Sequence, residues 1–226
     1  MITSPANPRL RLVRRLESRR QRAKLGLFVC EGEDLVDAAL AEGIEPVDLL
    51  VAGEDVEPEL LAGVSTLAHP SRVIGVFRRA DLRAYEPRSA TLALWHVADP
   101  GNSGTLIRTA DAFGASVALS AGCADPTGPK ALRASAGAIF RVPLGEFDEA
   151  SGRRIALVAR GGEPLAAVEL GEKTVFVLGA EREGLPEDVV SACDAVASIA
   201  TTERSESLNV AVAGAIALYE ATRRRA

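Results

Sequence analysis

The sequence has little of what most often carries visible chemistry. Its three cysteines, Cys30, Cys123 and Cys193, are odd in number and far apart, which argues against a disulfide framework and against a thiolate metal site. Only two histidines occur, His69 and His96, and neither has a partner at ligand spacing. No metal is expected, and both histidines read as structural. No apolar run reaches the length of a membrane span, and the N-terminus lacks the apolar core of a signal peptide, so a soluble cytoplasmic protein is expected. Gly-x-Gly-x-x-Gly is absent, and the glycines from Gly179 to Gly184 are followed by Leu185-Pro186 instead of Lys and Ser or Thr. A standard dinucleotide fold and a P-loop are both disfavoured.

What is present organises into two parts. The chain of 226 residues is long enough for two modest domains with real cores. The polar stretch from Tyr85 to Ala90, which contains Pro87, is the best boundary, dividing the chain into 1–88 and 89–226. The net charge of −5 hides an asymmetry: residues 1–25 hold eight basic residues and one acid, so that arm carries +7 and the rest −12. The basic residues are Arg9, Arg11, Arg14, Arg15, Arg19, Arg20, Arg22 and Lys24. Leu10, Val13 and Leu16 recur at helical spacing among them, so one face can dock while the cations project towards RNA phosphates or simply towards solvent. Arg223-Arg224-Arg225 can add to the basic surface or complement a helix dipole.

The first part reads as a small α/β sandwich: a basic helix, a strand near 27–30, a helix over 34–41, a strand near 47–51 and further alternation through Phe77. The second reads as a parallel sheet with strands near 91–97, 116–120, 154–159, 174–178 and 195–199. Helices are expected over 104–113 and 207–223, with the region around Val168 as loop or edge.

Three blocks place polar residues at strand ends. The first is Asp99-Pro-Gly-Asn-Ser-Gly-Thr-Leu-Ile-Arg-Thr-Ala-Asp-Ala-Phe-Gly114, where a strand meets a glycine-rich turn whose unpaired N–H groups suit an anionic or electron-rich ligand. Taken alone it reads equally well as a connector with a capping Asn102 and a solvated Arg108. The second, Lys173 to Gly184, sets Glu181 among glycines, and the third, Ser205 to Glu220, sets Ser207 and Asn209 at the mouth of an Ala-rich helix. Loops that follow strand ends in an open α/β sheet converge on one crevice, so three such blocks can build one site.

With these blocks in view, the chain resembles the SpoU/TrmH family of S-adenosylmethionine-dependent RNA 2′-O-ribose methyltransferases, in the knotted SPOUT class. The resemblance rests on Asp-Pro-Gly-Asn-x-Gly and Arg-Thr-Ala-Asp-Ala-Phe-Gly within 99–114, and on Leu178, Gly179, Glu181 and Gly184. It also rests on Glu206 to Val210 with Leu218 to Glu220, and on the Lys-x-x-Arg-x-Ser-x-Gly stretch from Lys130 to Gly137. The N-terminal part is similar to the family's RNA-binding domain, itself related to a ribosomal protein fold. The resemblance implies a C-terminal parallel sheet tied in a trefoil knot, S-adenosylmethionine as cofactor and RNA as substrate, with ribosomal RNA ahead of tRNA.

It also implies roles for named residues. Arg108 is the implied catalytic arginine, Asn102 and Glu181 orient it and the loop, and Ser207 and Asn209 complete the ribose-facing site. Leu178, Gly179, Gly184, Ile199, Ala200 and Leu208 form a cofactor cradle made largely of backbone. Arg108 stays charged to above about pH 12, so it can stabilise a developing alkoxide more naturally than it removes a proton; both roles stay open. A homodimer is implied, with the helix after Asn209 at its interface. The small face of Ala211, Gly214 and Ala215 suits close packing by a partner or by the chain's own core. One departure stands out: where family members have Ile-Pro-Met and then Gly, this chain has Ile199-Ala-Thr-Thr-Glu-Arg204. Glu203 at a left-handed position would cost about 1 to 2 kcal/mol. A dimeric RNA-binding or ribosome-assembly protein with a weakened cofactor site is therefore the second reading. A small-molecule enzyme unrelated to RNA is disfavoured by the basic arm and the intact first motif.

Overall fold

The computed structural model describes residues 1–202 and 207–225. Helix α1 (Pro8–Leu16) starts on Asn7, whose side chain accepts the Arg9 N–H at 2.9 Å, with Pro8 at the first helical position. Its Leu10, Val13 and Leu16 are buried, as their spacing predicts. The basic arm is not one helix. It breaks at Glu17-Ser18, and α2 (Arg19–Leu25) ends on Gly26, held at a φ of 65° that favours glycine. Then follow β1 (Leu27–Glu31), α3 (Glu33–Ala41), β2 (Asp48–Val51), α4 (Pro58–Ala62) and β3 (Val73–Arg78), the strands forming an antiparallel sheet in the order β1-β3-β2.

Successive strand side chains face opposite ways. Val29, Leu50, Ile74 and Val76 pack with the buried residues of α1 and α4, while Phe28, Cys30 and Phe77 join α3 on the other face. That second face also meets the rest of the molecule. The rings of Phe28 and Phe77 lie 6.4 Å and 6.1 Å from that of Phe140, so both parts share one core. The stretch around residues 85–90 is not a slack linker either: the Leu144 N–H donates to the Arg83 carbonyl at 3.1 Å, and the Thr174 N–H to the Ser89 carbonyl at 3.0 Å.

The second part contains β4 (Ala90–Leu94), α5 (Pro100–Ala112), β5 (Ser116–Leu119), α6 (Pro129–Ser135), β6 (Leu144–Glu146) and β7 (Arg153–Val158). The chain continues through β8 (Glu163–Pro164), β9 (Thr174–Leu178), α7 (Glu187–Ser191), β10 (Ala195–Ser198) and α8 (Val210–Arg223). The seven strands form one parallel sheet in the order β6-β5-β4-β9-β7-β10-β8. All five expected strands are there. The additional β6 and β8, three and two residues long, are too short to leave a periodic trace. Strand β9 enters between β4 and β7, both of which precede it in the chain.

Two helices start elsewhere than expected, α8 at Val210 instead of 207 because Asn209 caps it, and α5 earlier than its expected start at 104. Helix α5 begins at Pro100, not beyond the glycines, because Asp99 caps it by accepting the Asn102 N–H at 2.9 Å. Gly104 is therefore helical, and a Cβ there would collide with the Ala131 carbonyl oxygen of α6. Its absence lets the two helices touch backbone to backbone. In α8, Gly214 abuts Leu106 and Ala211 is buried, so these two residues of the small face serve internal packing, while Ala215 is half-buried.

The basic arm requires a correction of its own. Arg22, expected among the RNA-facing cations, is 5% exposed and donates to Asp125 at 2.8 Å and to the Leu16 and Glu17 carbonyls at 2.8 Å. A guanidinium so enclosed has no face left for a phosphate. Asp125 in turn accepts from Thr127 at 2.7 Å and lies 3.3 Å from Arg79. This cluster rivets α2 and the residue after β3 to the loop after β5.

Candidate active site

The loops after β4, β9 and β10 leave the same edge of the sheet, where neighbouring parallel strands deliver their carboxyl ends. Asn102 lies in the first turn of α5, Glu181 in the loop after β9, and Asn209 caps α8 by accepting the Ala211 N–H at 2.9 Å. They meet. Asn102 donates to Glu181 Oε1 at 2.8 Å, and Asn209 Nδ2 donates to Asn102 Oδ1 at 3.1 Å. Residues 107 positions apart are thus joined by one amide.

The helix N-terminus beside them is not an open anion site. Asp99 already occupies it, and Lys130 of α6 reaches the other carboxylate oxygen at 3.1 Å. The Asn102 N–H and then Lys130 hold the Asp99 carboxyl below its ordinary range. The Asp-Pro pair could have revealed this cap in the sequence, since Asp suits the cap and proline the first helical position. The glycines that follow it read as a turn instead.

Beside this cluster lies a cleft of about 590 Å³. Leu157, Leu178, Ile199, Leu208, Val210 and Ala213 supply apolar lining, while Glu181, Thr201 and Ser207 bring polar groups. Of the expected cofactor cradle, Leu178, Gly179, Gly184, Ile199 and Leu208 all line it; Ala200 is exposed and does not. Gly179 is required where it stands, because a Cβ would collide with the backbone of Gly184. Gly184 itself has a φ of 69° and closes the turn by donating to the Ala180 carbonyl at 2.9 Å. Glu203 and Glu206 lie outside the described residues.

Arg108 is elsewhere. Six residues after Asn102, it sits about 9 Å further along the helix and about 120° around it. Its side chain is exposed, with no hydrogen bond or ion pair among the described residues. Within one chain Asn102 and Glu181 therefore bond each other and Asn209, and not Arg108. Helices α5 and α8 pack against each other; Thr105, Arg108 and Ala112 are exposed on α5, and Val212 and Tyr219 on α8. In the basic arm, Arg9 is bound to Asp48 and the Leu49 carbonyl, whereas Arg11, Arg14, Arg15, Arg19, Arg20 and Lys24 are exposed.

A cleft of this size at the carboxyl edge of an all-parallel sheet, flanked by a polar cluster from three strand ends, is the ligand site of an open α/β enzyme fold. Residues 89–219 match the SpoU rRNA Methylase family and residues 7–80 the MRM3-like substrate binding domain. The chain belongs to the SpoU rRNA methylase family. It is 30% identical to the Bacillus subtilis 23S rRNA (guanosine(2553)-2′-O)-methyltransferase RlmP, over 96% of this chain and 97% of that one. A Synechocystis protein named as a tRNA/rRNA methyltransferase is 32% identical, over 99% and 94%. Among solved structures, an AdoMet-bound rRNA methyltransferase from Sinorhizobium meliloti superposes with a TM-score of 0.88 at 28% identity, covering 99% and 97%. The SpoU methyltransferase AviRb from Streptomyces viridochromogenes, in complex with AdoMet, gives 0.84 at 25% identity, covering 97% and 98%. No helix among the described residues is long and apolar enough to cross a membrane.

Proposed function

We propose that this chain transfers a methyl group to a ribose 2′-hydroxyl of RNA, ribosomal RNA ahead of tRNA, and works in the cytoplasm. Residues 1–88 act as the substrate-binding unit and 89–226 as the methyltransferase unit. The observation that carries this reading is the Asn102–Glu181–Asn209 cluster at the mouth of the cleft. S-adenosylmethionine, when bound, supplies an electrophilic methyl group on its sulfonium. The cleft fits such a molecule in volume and in its mixture of apolar and polar lining. Leu178, Gly179, Gly184, Ile199 and Leu208 hold it. Asn102, Glu181, Ser207 and Asn209 place the ribose, and that positioning supplies much of the rate.

Arg108 fits this scheme as a residue shared between copies. Arg108 is exposed on α5, and the adjoining helix α8 carries exposed Val212 and Tyr219, so a homodimer formed over these two helices would let Arg108 serve the cleft of a neighbouring copy. There it stabilises the negative charge that develops on the 2′-oxygen while the hydroxyl proton passes to water. The trefoil knot belongs to the same reading, supported by the entry of β9 between two earlier strands. Calorimetric titration with S-adenosylmethionine, followed by mapping of methylated riboses with and without the gene, tests the whole. Binding and one lost methylated ribose are expected. A chain that binds RNA but not the cofactor would be an assembly protein instead. Arg108→Ala should retain RNA binding and lose methyl transfer; full activity would remove Arg108 from the site.

A further inference from the structure

A second cavity, of about 480 Å³, lies between the two parts of the molecule. One wall carries Arg19, Arg79 and Arg83, and the other is the loop after β5, from Ser120 to Thr127. Arg19 is exposed, with no hydrogen bond or ion pair among the described residues. Arg83 is 53% exposed in its side chain and bound to Glu42 at 3.3 Å, while Arg79 is 33% exposed and bound to Asp125 at 3.3 Å. Two acids also line the cavity. Asp125 is matched by Arg22 and Arg79 together, whereas Glu146 keeps its charge while capping the following turn, so with unpaired Arg19 the groove retains a small positive excess. Leu82, Leu119, Ala121 and Leu144 give the groove an apolar surface.

This groove is tied to the active site. The Ala124 N–H donates to the Val97 carbonyl at 2.9 Å, and the Ser103 hydroxyl of α5 donates to the same carbonyl at 3.2 Å. Strands β4 and β5, whose ends carry the two sites, are neighbours about 4.8 Å apart. Between the sites stands His96, exposed and held at a φ of 53°, with its ring stacked on Trp95 at 4.8 Å and 1°. A non-glycine residue in that left-handed conformation is strained and persists where the surroundings impose it. Here Gly122 makes the room, since a Cβ there would come within 2.5 Å of the imidazole.

We propose that the interdomain groove seats a nucleotide adjoining the methylated one in a single-stranded RNA segment. Arg19 and Arg83 take its phosphates, the apolar surface takes its base, and the His96–Trp95 stack supports the base between groove and cleft. This assignment rests on the RNA methyltransferase reading. The test uses the full-length chain and a fluorescein-labelled single-stranded RNA dodecamer carrying 4-thiouridine. Irradiation should attach the probe to peptides containing Arg19, Arg83 or residues 119–127. Arg19→Ala with Arg83→Ala should weaken the probe by roughly tenfold or more and lower the salt slope by about 1.4, two contacts at about 0.7 each. The variant should keep wild-type affinity for S-adenosylmethionine and a wild-type melting temperature. Wild-type RNA affinity and slope in the variant, or crosslinks confined to surfaces outside the groove, would overturn the groove assignment. An unaltered chain that binds S-adenosylmethionine yet no RNA would instead overturn the RNA reading beneath it.

Discussion

Two polar clusters bring together residues far apart in the chain, and they differ in nearly every physical respect. Arg22–Asp125–Arg79 lies at the seam between the two sheets, with Arg22 and Asp125 buried. Asn102–Glu181–Asn209 stands at the sheet edge with Glu181 and Asn209 exposed. The first must be complete, because an enclosed charge that loses its partner is strongly disfavoured. Water can replace what the second loses, so its geometry is free to serve a ligand. Burial separates a structural polar cluster from a functional one.

The contrast breaks most visibly at Arg22. Arg22→Ala should lower stability by about 3 kcal/mol, the low end for a broken buried pair because Arg79 and Thr127 still bond Asp125. Chemical denaturation checks it, and a loss below about 1 kcal/mol would mean that water already reaches the seam. Asn102→Ala should invert the pattern, with methyl transfer falling about a hundredfold and stability by about 1 kcal/mol or less. Paired turnover and denaturation measurements decide this, and equal loss in both would make the cluster structural.

Acid sharpens the comparison further. Burial raises the Asp125 pKa, but Thr127, Arg22 and Arg79 together outweigh it and hold the carboxyl below its ordinary value. The native pKa is then below the unfolded value of about 3.9, so the stabilisation is full above that pH and disappears as pH falls through the native pKa. The melting-temperature gap between the wild type and Asp125→Asn should be constant from pH 7 to about pH 5 and close towards pH 3. A gap that widens in acid would reverse the assigned direction. The smallest effect belongs to the exposed arm: Arg11→Ala should reduce the salt slope of RNA binding by at most about 0.7, visible in anisotropy titrations at several salt concentrations.

The same contrast explains what could be read in advance. Apolar runs such as Thr174–Leu178 and the motif spacing at 99–114, 178–184 and 206–210 are local properties, and they delivered the parallel sheet and brought Asn102, Glu181 and Asn209 forward as candidates. Arg22 looked like its neighbours, since its partner lies 103 residues away and no local pattern marks which cation of a basic helix turns inward. Arg108 stands in an intact motif, yet its sequence neighbours do not reveal that it faces away from Asn102. Helix α6 leaves no periodic trace in the sequence, although Gly128-Pro129 marks its start, because seven residues give too few turns for an apolar period to emerge.

The shared aromatic core of Phe28, Phe77 and Phe140 bears on how such enzymes can be re-targeted. Grafting the N-terminal unit of a relative onto this catalytic half would expose Phe140 unless the donor supplies rings of matching size and tilt. It would also need a cation where Arg22 enters. A chimera aimed at a different RNA therefore has to transplant the seam along with the recognition surface.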